Sequence, residues 1–296
     1  MLRHRKKISG LALSLALVAA ACGGDDADDA SGAPAATTAA SGAATTAAAD
    51  GAASTTMMEM MELPASAAAM KIDFVSPADG TKVTANEVDI EVAVEGFELT
   101  NTAGKPLVDG QGHYHLLLDG ALVDMFITPK ATLSMQNVSP GKHEIAVVPA
   151  INDHAEVLDN EAKITIDYQP SAPLAEIKDA EFSDPPTIKI VSPKPGDTVS
   201  GEFDVVVEVE NFNLDPNLFG KPSLLGYGHW HANLDTAEGP MMGMMTMLGM
   251  SGTTTFKAST EGMAPGEKHK LIAIVADNGH APLNPMVTDE IDITVG

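Results

Sequence analysis

Four of the chain's nine histidines stand in two matched His-x-His pairs, His113 and His115 in "GQGHYHLLLDG" and His229 and His231 in "GYGHWHANLD". Imidazole is the commonest metal ligand. Two imidazoles on one face of a strand, about 7 Å apart along the backbone, are placed to converge on one ion. Each pair is followed by two further histidines, His143 and His154 after the first and His269 and His280 after the second, eleven residues apart in both sets. The residues between have drifted: Tyr114 is matched by Trp230, Leu116 by Ala232 and Leu117 by Asn233.

Strand geometry sorts these side chains. Tyr114, Leu116 and Leu118 share one face, as do Trp230, Ala232 and Leu234, and that apolar set must be the core side. The four paired histidines then project from the opposite face. A third ligand must come from elsewhere. If the His-x-His strand pairs antiparallel with "KHEIAVVPAI", the end of the second lies beside the start of the first. That favours His154, and by the same logic His280. His143 and His269 go to the far end, near Asp119 and Asp235. A cupin-like roll would reverse the choice. The expected metal ligands are therefore His113, His115 and His154 in one site, and His229, His231 and His280 in the other. Copper is the expected metal, with zinc as the alternative. Ten of the sixteen methionines fall in two clusters, Met57–Met61 and Met241–Met250. Thioethers are soft ligands that select Cu(I), but they also fill cores. No Ser-His-Asp or Cys-His arrangement is legible and no Glu stands at a diagnostic spacing beside the histidines, so no catalytic residues are expected and the protein is read as a non-enzyme.

The elements that must position these residues are strands. "EVDIEVAVEGF" alternates, with Val88, Ile90, Val92 and Val94 on one face, and "EFDVVVEVENF" repeats the pattern with Phe203, Val205, Val207 and Val209. "FVSPADGTKV" returns as "IVSPKPGDTV" and "PGKHEIAVV" as "PGEKHKLIAIV". The chain is an internal duplication. Short strands with Gly/Pro turns predict an all-β protein of two tandem immunoglobulin-like β-sandwich domains, residues 71–168 and 187–296, joined by a Pro- and acid-rich linker, 169–186. A jelly roll or small barrel is the competitor.

Residues 1–22 read as a lipoprotein signal: a basic start, an apolar stretch too short to span a bilayer, and Cys22 after small residues, where lipidation would anchor the chain to a membrane. Cys22 is the only cysteine, so the fold has no disulfide. Residues 23–70, mostly small and acidic, predict a disordered tether. The formal net charge is −24, and no basic patch is present, which excludes nucleic acid as a partner and favours cations. The expected setting is extracytoplasmic, on the outer face of a bacterial cell membrane, with a metal ion and a cell-envelope protein as partners.

"VSPADG", "GHYHLLLDG" and "PGKHEIAVVPAINDH" together resemble an uncharacterised bacterial domain family with a Gly-His-x-His-Leu strand, a Pro-Gly-Lys-His turn and a trailing Asp-x-x-His. The pattern maps onto Gly112, His113, His115, Leu116, Pro140, Gly141, His143 and His154. In the second copy Ala232 stands for the leucine and "PGEKH" carries one more residue before His269. The resemblance implies an extracytoplasmic setting and no particular mechanism. The expected function is metal binding, with copper buffering or transfer as the task. A surface recognition or scaffold protein that binds a protein or glycan without metal is the alternative.

Overall fold

The computed structural model describes residues 63–239 and 242–296. The signal, Cys22, most of the tether with Met57–Met61, and Met241 lie outside the described residues. The first copy contains β1 (Lys71–Ser76), β2 (Lys82–Val83), β3 (Glu87–Glu95), β4 (Glu98–Leu99), β5 (Gln111–Leu118), β6 (Ala121–Phe126), β7 (Lys130–Ser134), β8 (Gly141–Ala150) and β9 (Ala162–Tyr168). The second repeats them as β10 (Thr187–Ser192), β11 (Thr198–Val199), β12 (Glu202–Glu210), β13 (Asn213–Leu214), β14 (Tyr227–Leu234), β15 (Met247–Ser251), β16 (Thr255–Ser259), β17 (Lys268–Asp277) and β18 (Thr288–Val295).

In each copy a three-stranded sheet, β1-β3-β7 or β10-β12-β16, faces a larger one. The larger sheet runs β2-β9-β8-β5 in the first copy and β11-β18-β17-β14 in the second. β4 and β6, or β13 and β15, share the outer edge of the His-x-His strand. This is an immunoglobulin-like strand order. The alternating strands drive it. Val88, Ile90 and Val92 of β3 and Val205 and Val207 of β12 are buried in the two sandwich cores. Tyr114, Leu116 and Leu118 join the first core, and Trp230, Ala232 and Leu234 the second.

The opposite face of the larger sheet departs from expectation. The sequence places the histidines on the side away from the core, and they are there, yet that side is buried too. Ala146, Val148 and Ala150 of β8 lie directly across from Leu117, His115 and His113. Ile272, Ile274 and Ala276 of β17 lie across from Asn233, His231 and His229. All six of these apolar residues are buried, because the two copies cover each other's histidine faces. Phe219 and Met250 of the second copy pack into the first copy's core cluster, and the described residues fall into one compact unit. The copies approach most closely at two equivalent glycines. A Cβ on Gly104 would lie 2.5 Å from the Met247 carbonyl oxygen, and one on Gly220 would lie 2.5 Å from that of Leu122. Both residues have positive φ, 70° and 66°. Gly220→Ala therefore meets both backbone strain and a clash with main chain that has no flexible tip to yield. We expect a loss of about 2 kcal/mol or more in chemical denaturation. An unchanged midpoint would contradict this packing of the copies.

One further expectation is corrected. Residues 63–70, read as the end of the tether, are folded: Ala65–Ala69 form a 3-10 helix, and Ala67 and Met70 pack on Ile151, Ala155 and Val157. The short apolar run Leu63–Met70 thus behaves as core, not spacer. The linker is docked on both copies, with the Asn137 side chain donating to the Ile177 carbonyl and the Leu225 amide donating to Asp179. In the methionine-rich stretch, Met242 packs on Ile272, Ile274 and Ala276, and Met247 and Met250 are buried in β15. Packing is the visible role of these three.

Candidate metal centre

Each His-x-His strand supplies two candidate ligands, and the turn after its antiparallel partner strand supplies the third. β5 pairs antiparallel with β8 so that His113 faces Ala150. The chain then reverses at once. The His154 amide donates to the Ile151 carbonyl at 2.9 Å, and Ala150 bridges to Glu156 across the turn. In the second copy the His280 amide donates to the Asp277 carbonyl at 3.1 Å, and Ala276 bridges to Pro282. His154 and His280 both take positive φ, 67° and 65°, which turns each ring back over its His-x-His strand.

The structure brings together His113, His115 and His154, and separately His229, His231 and His280. Within each triad one nitrogen from every ring lies within 4.8 Å of the others. Nε2 of His113 and Nε2 of His115 are 3.1 Å apart. Nε2 of His229 is 2.8 Å from Nε2 of His231 and 2.9 Å from Nδ1 of His280. Imidazole nitrogens on one tetrahedral ion stand about 3.3 Å apart, so each of these three gaps would widen by a few tenths of an ångström around one.

The third ring of each triad is aimed by the other copy. His154 Nε2–H donates to the Met247 carbonyl at 2.7 Å, and His280 Nε2–H to the Leu122 carbonyl at 2.8 Å. A proton held on Nε2 leaves the Nδ1 lone pair facing the other rings, as an outer-shell partner does for a metal-bound histidine. The triads are also neighbours. Burial, then repulsion from His280 and from His154 of the first copy, pushes His231 down to about 3. Burial likewise lowers His154 to about 3 and, against small opposing contributions, His280 to about 4. His113 and His229 are held well below the usual imidazole range by burial and by the other two rings of their triads. These five rings are neutral at pH 7, the form that binds metal. Nδ1 of His113, His154, His229 and His231 is buried with no hydrogen-bond partner among the described residues.

The triads differ in their surroundings: Phe219 packs on His229 and His280 at ring-centroid distances of 4.6 and 6.2 Å, where the first copy has Ala103, and only one ring is backed by a carboxylate. His115 Nδ1–H donates to Glu156 Oε1 at 2.6 Å, with Glu156 itself buried. Pro282 holds the matching place in the second copy, and His231 Nδ1 has no such partner. Sequence reasoning dismissed acidic partners beside the histidines and missed Glu156. Its signal was position: two residues past His154, on the segment that returns from the turn. Met125 and Met250 lie directly across the strand pairs from His115 and His231. His143 and His269 stay out of both triads, bonded to Asp119 and Asp235 at 2.6 and 2.8 Å.

No family model matches the chain and no curated protein matches it. Among solved structures it is similar to fibronectin(III)-like modules of Clostridium thermocellum CbhA, at 14% identity over 76% of this chain and 93% of that one, with TM-score 0.24. Dimeric latent PorU from Porphyromonas gingivalis matches at 15% identity over 77% of this chain and 24% of its own, with TM-score 0.24. The Dpr2 Ig1-Ig2 complex with DIP-Theta Ig1-Ig3 matches at 12% identity over 76% of this chain and 66% of its own, with TM-score 0.19. Likeness at this level adds nothing to the strand order described above.

Proposed function

We propose that the protein binds two metal ions, one in each histidine triad, and that copper is the preferred metal. One observation carries the reading: in both copies three buried imidazoles turn a nitrogen towards one point, with the third ring's tautomer fixed by a carbonyl of the other copy. Three imidazoles suit copper or zinc. Met125 and Met250 stand in register with His115 and His231 on the neighbouring strands, and a thioether reaching either site would favour copper. Structural bracing alone accounts poorly for the arrangement. It leaves His154 Nδ1, a nitrogen that a bound ion would engage, buried without a partner among the described residues, at a penalty of about 1–3 kcal/mol.

With Cys22 lipidated, the protein would hold or pass on metal at the outer face of the cell membrane, without catalysing a reaction. A β-sandwich also suits surface recognition, the second reading, in which the triads play no part.

The test is metal titration of the intact protein beside a variant with His113, His115, His229 and His231 changed to Ala and its β-sheet signal verified by circular dichroism. Two equivalents of tight copper, lost in the variant, are expected. Weak adsorption, equal in both proteins, would overturn the proposal.

A further inference from the structure

We propose that the two triads are tuned to ions of different charge, the Glu156-backed triad to a divalent ion and the second triad to a monovalent soft ion. This rests on the metal reading above and concerns only which ion each site takes. The copies are matched in strand order, in the turn carrying the third histidine and in the carbonyl that aims it. They part in the carboxylate bonded to a ring, Glu156 on His115 against Pro282 beside an unpartnered His231 Nδ1, and in Phe219, which packs on His229 and His280 where the first copy has Ala103.

Placing charge in a buried site is penalised roughly as the square of the net charge left there. A dication among His113, His115 and His154 is offset by the Glu156 carboxylate, which leaves one net positive charge. The carboxylate also draws on the His115 Nδ1 proton, which makes Nε2 a stronger donor to the metal. Among His229, His231 and His280 a dication would leave two positive charges, and a monovalent ion leaves one. Counting only carboxylates bonded to a ring, the charges therefore balance alike when the triads hold ions of different valence. The charge of Asp277 reaches His280 of the second triad. It already accepts from the Ser223 hydroxyl at 2.7 Å and from the Gly279 and Ala281 amides at 2.9 Å, and it bonds to none of the three rings. Among monovalent ions, a set of neutral imidazoles selects soft Cu(I) and its closed-shell analogue Ag(I).

The probes are Zn(II) and Ag(I), added separately to the intact protein while imidazole 15N shifts report each histidine. Zn(II) is expected to move His113, His115 and His154 first, and Ag(I) to move His229, His231 and His280 first. Glu156→Gln, which keeps an acceptor for His115, should weaken Zn(II) at the first triad by about 10–100-fold and leave Ag(I) at the second unchanged. Pro282→Glu should strengthen Zn(II) at the second triad, a gain that a misfolded variant would not show. Equal filling of both triads by Zn(II), or equal weakening of Zn(II) and Ag(I) in Glu156→Gln, overturns the tuning while leaving metal binding intact. If neither probe moves any of the six histidines, the metal reading itself fails.

Discussion

Saturating copper or zinc is expected to raise the protein's thermal midpoint by roughly 15–30 °C, with chelation reversing the shift. An ion that binds only the folded chain stabilises it by about 4 kcal/mol per site at a free concentration a thousand times Kd. Two triads together contribute about 8 kcal/mol. For a fold of this size each kcal/mol corresponds to about 2–4 °C. The unfolded chain offers no competing site of similar strength, because the third ligand of each triad depends on packing. His154 and His280 are aimed by Met247 and Leu122 of the opposite copy. Metal bound in the triads would therefore also tie the two copies together, and the loaded protein should unfold in one cooperative step. Calorimetry with and without chelator checks this. A shift below about 3 °C at saturation would mean that the ions sit on the surface.

Acidification of the metal-free protein is the second large effect. In the unfolded chain histidine titrates near 6.5. In the folded protein His154 and His231 are lowered to about 3 and His280 to about 4, and His113 and His229 lie well below 6.5. Below pH 6.5 the unfolded chain thus binds protons that the folded chain refuses, so stability is full above 6.5 and falls as pH drops. Each ring contributes a slope approaching about 1.4 kcal/mol per pH unit, which makes roughly 7 kcal/mol lost by pH 5.5 for five rings. That rivals the whole stability of an ordinary fold. Denaturant midpoints in the presence of chelator should be level from pH 8 to 7 and collapse between pH 6 and 5. A variant with His113, His154 and His229 changed to Gln should fall less steeply. A flat profile from pH 7 to 5 would contradict the burial of the triads.

The parts legible in the sequence are those set by local rules. Alternation in β3 and β12 gave the sandwich faces, and the repeated motifs gave the copy-for-copy strand order. Antiparallel register chose His154 over His143 and His280 over His269, because a strand of ten residues separates its ends and only one end lies beside His113. The same logic sent His143 and His269 to Asp119 and Asp235. What stayed hidden depends on contacts between the copies. Nothing local says that the histidine face of one sheet will be covered by the other. A hint was present in "EIAVVPAI" and "KLIAIVAD": runs apolar on both faces of β8 and β17 mark strands buried on both sides. Glu156 was hidden because its partner is 41 residues away. Leu63–Met70 was hidden because its small side chains look like the tether before it. The methionines of β15 looked like ligands because their spacing is that of a cluster, but spacing does not tell a buried strand from an open loop.

The most direct measurement is a crystal structure of the copper-soaked protein with anomalous data collected at the copper edge. The account predicts two strong peaks, one about 2.0–2.1 Å from Nε2 of His113, Nε2 of His115 and Nδ1 of His154, the other at the same distance from Nε2 of His229, Nε2 of His231 and Nδ1 of His280. Peaks confined to surface carboxylates, with all six rings left as they stand in the metal-free protein, would contradict it.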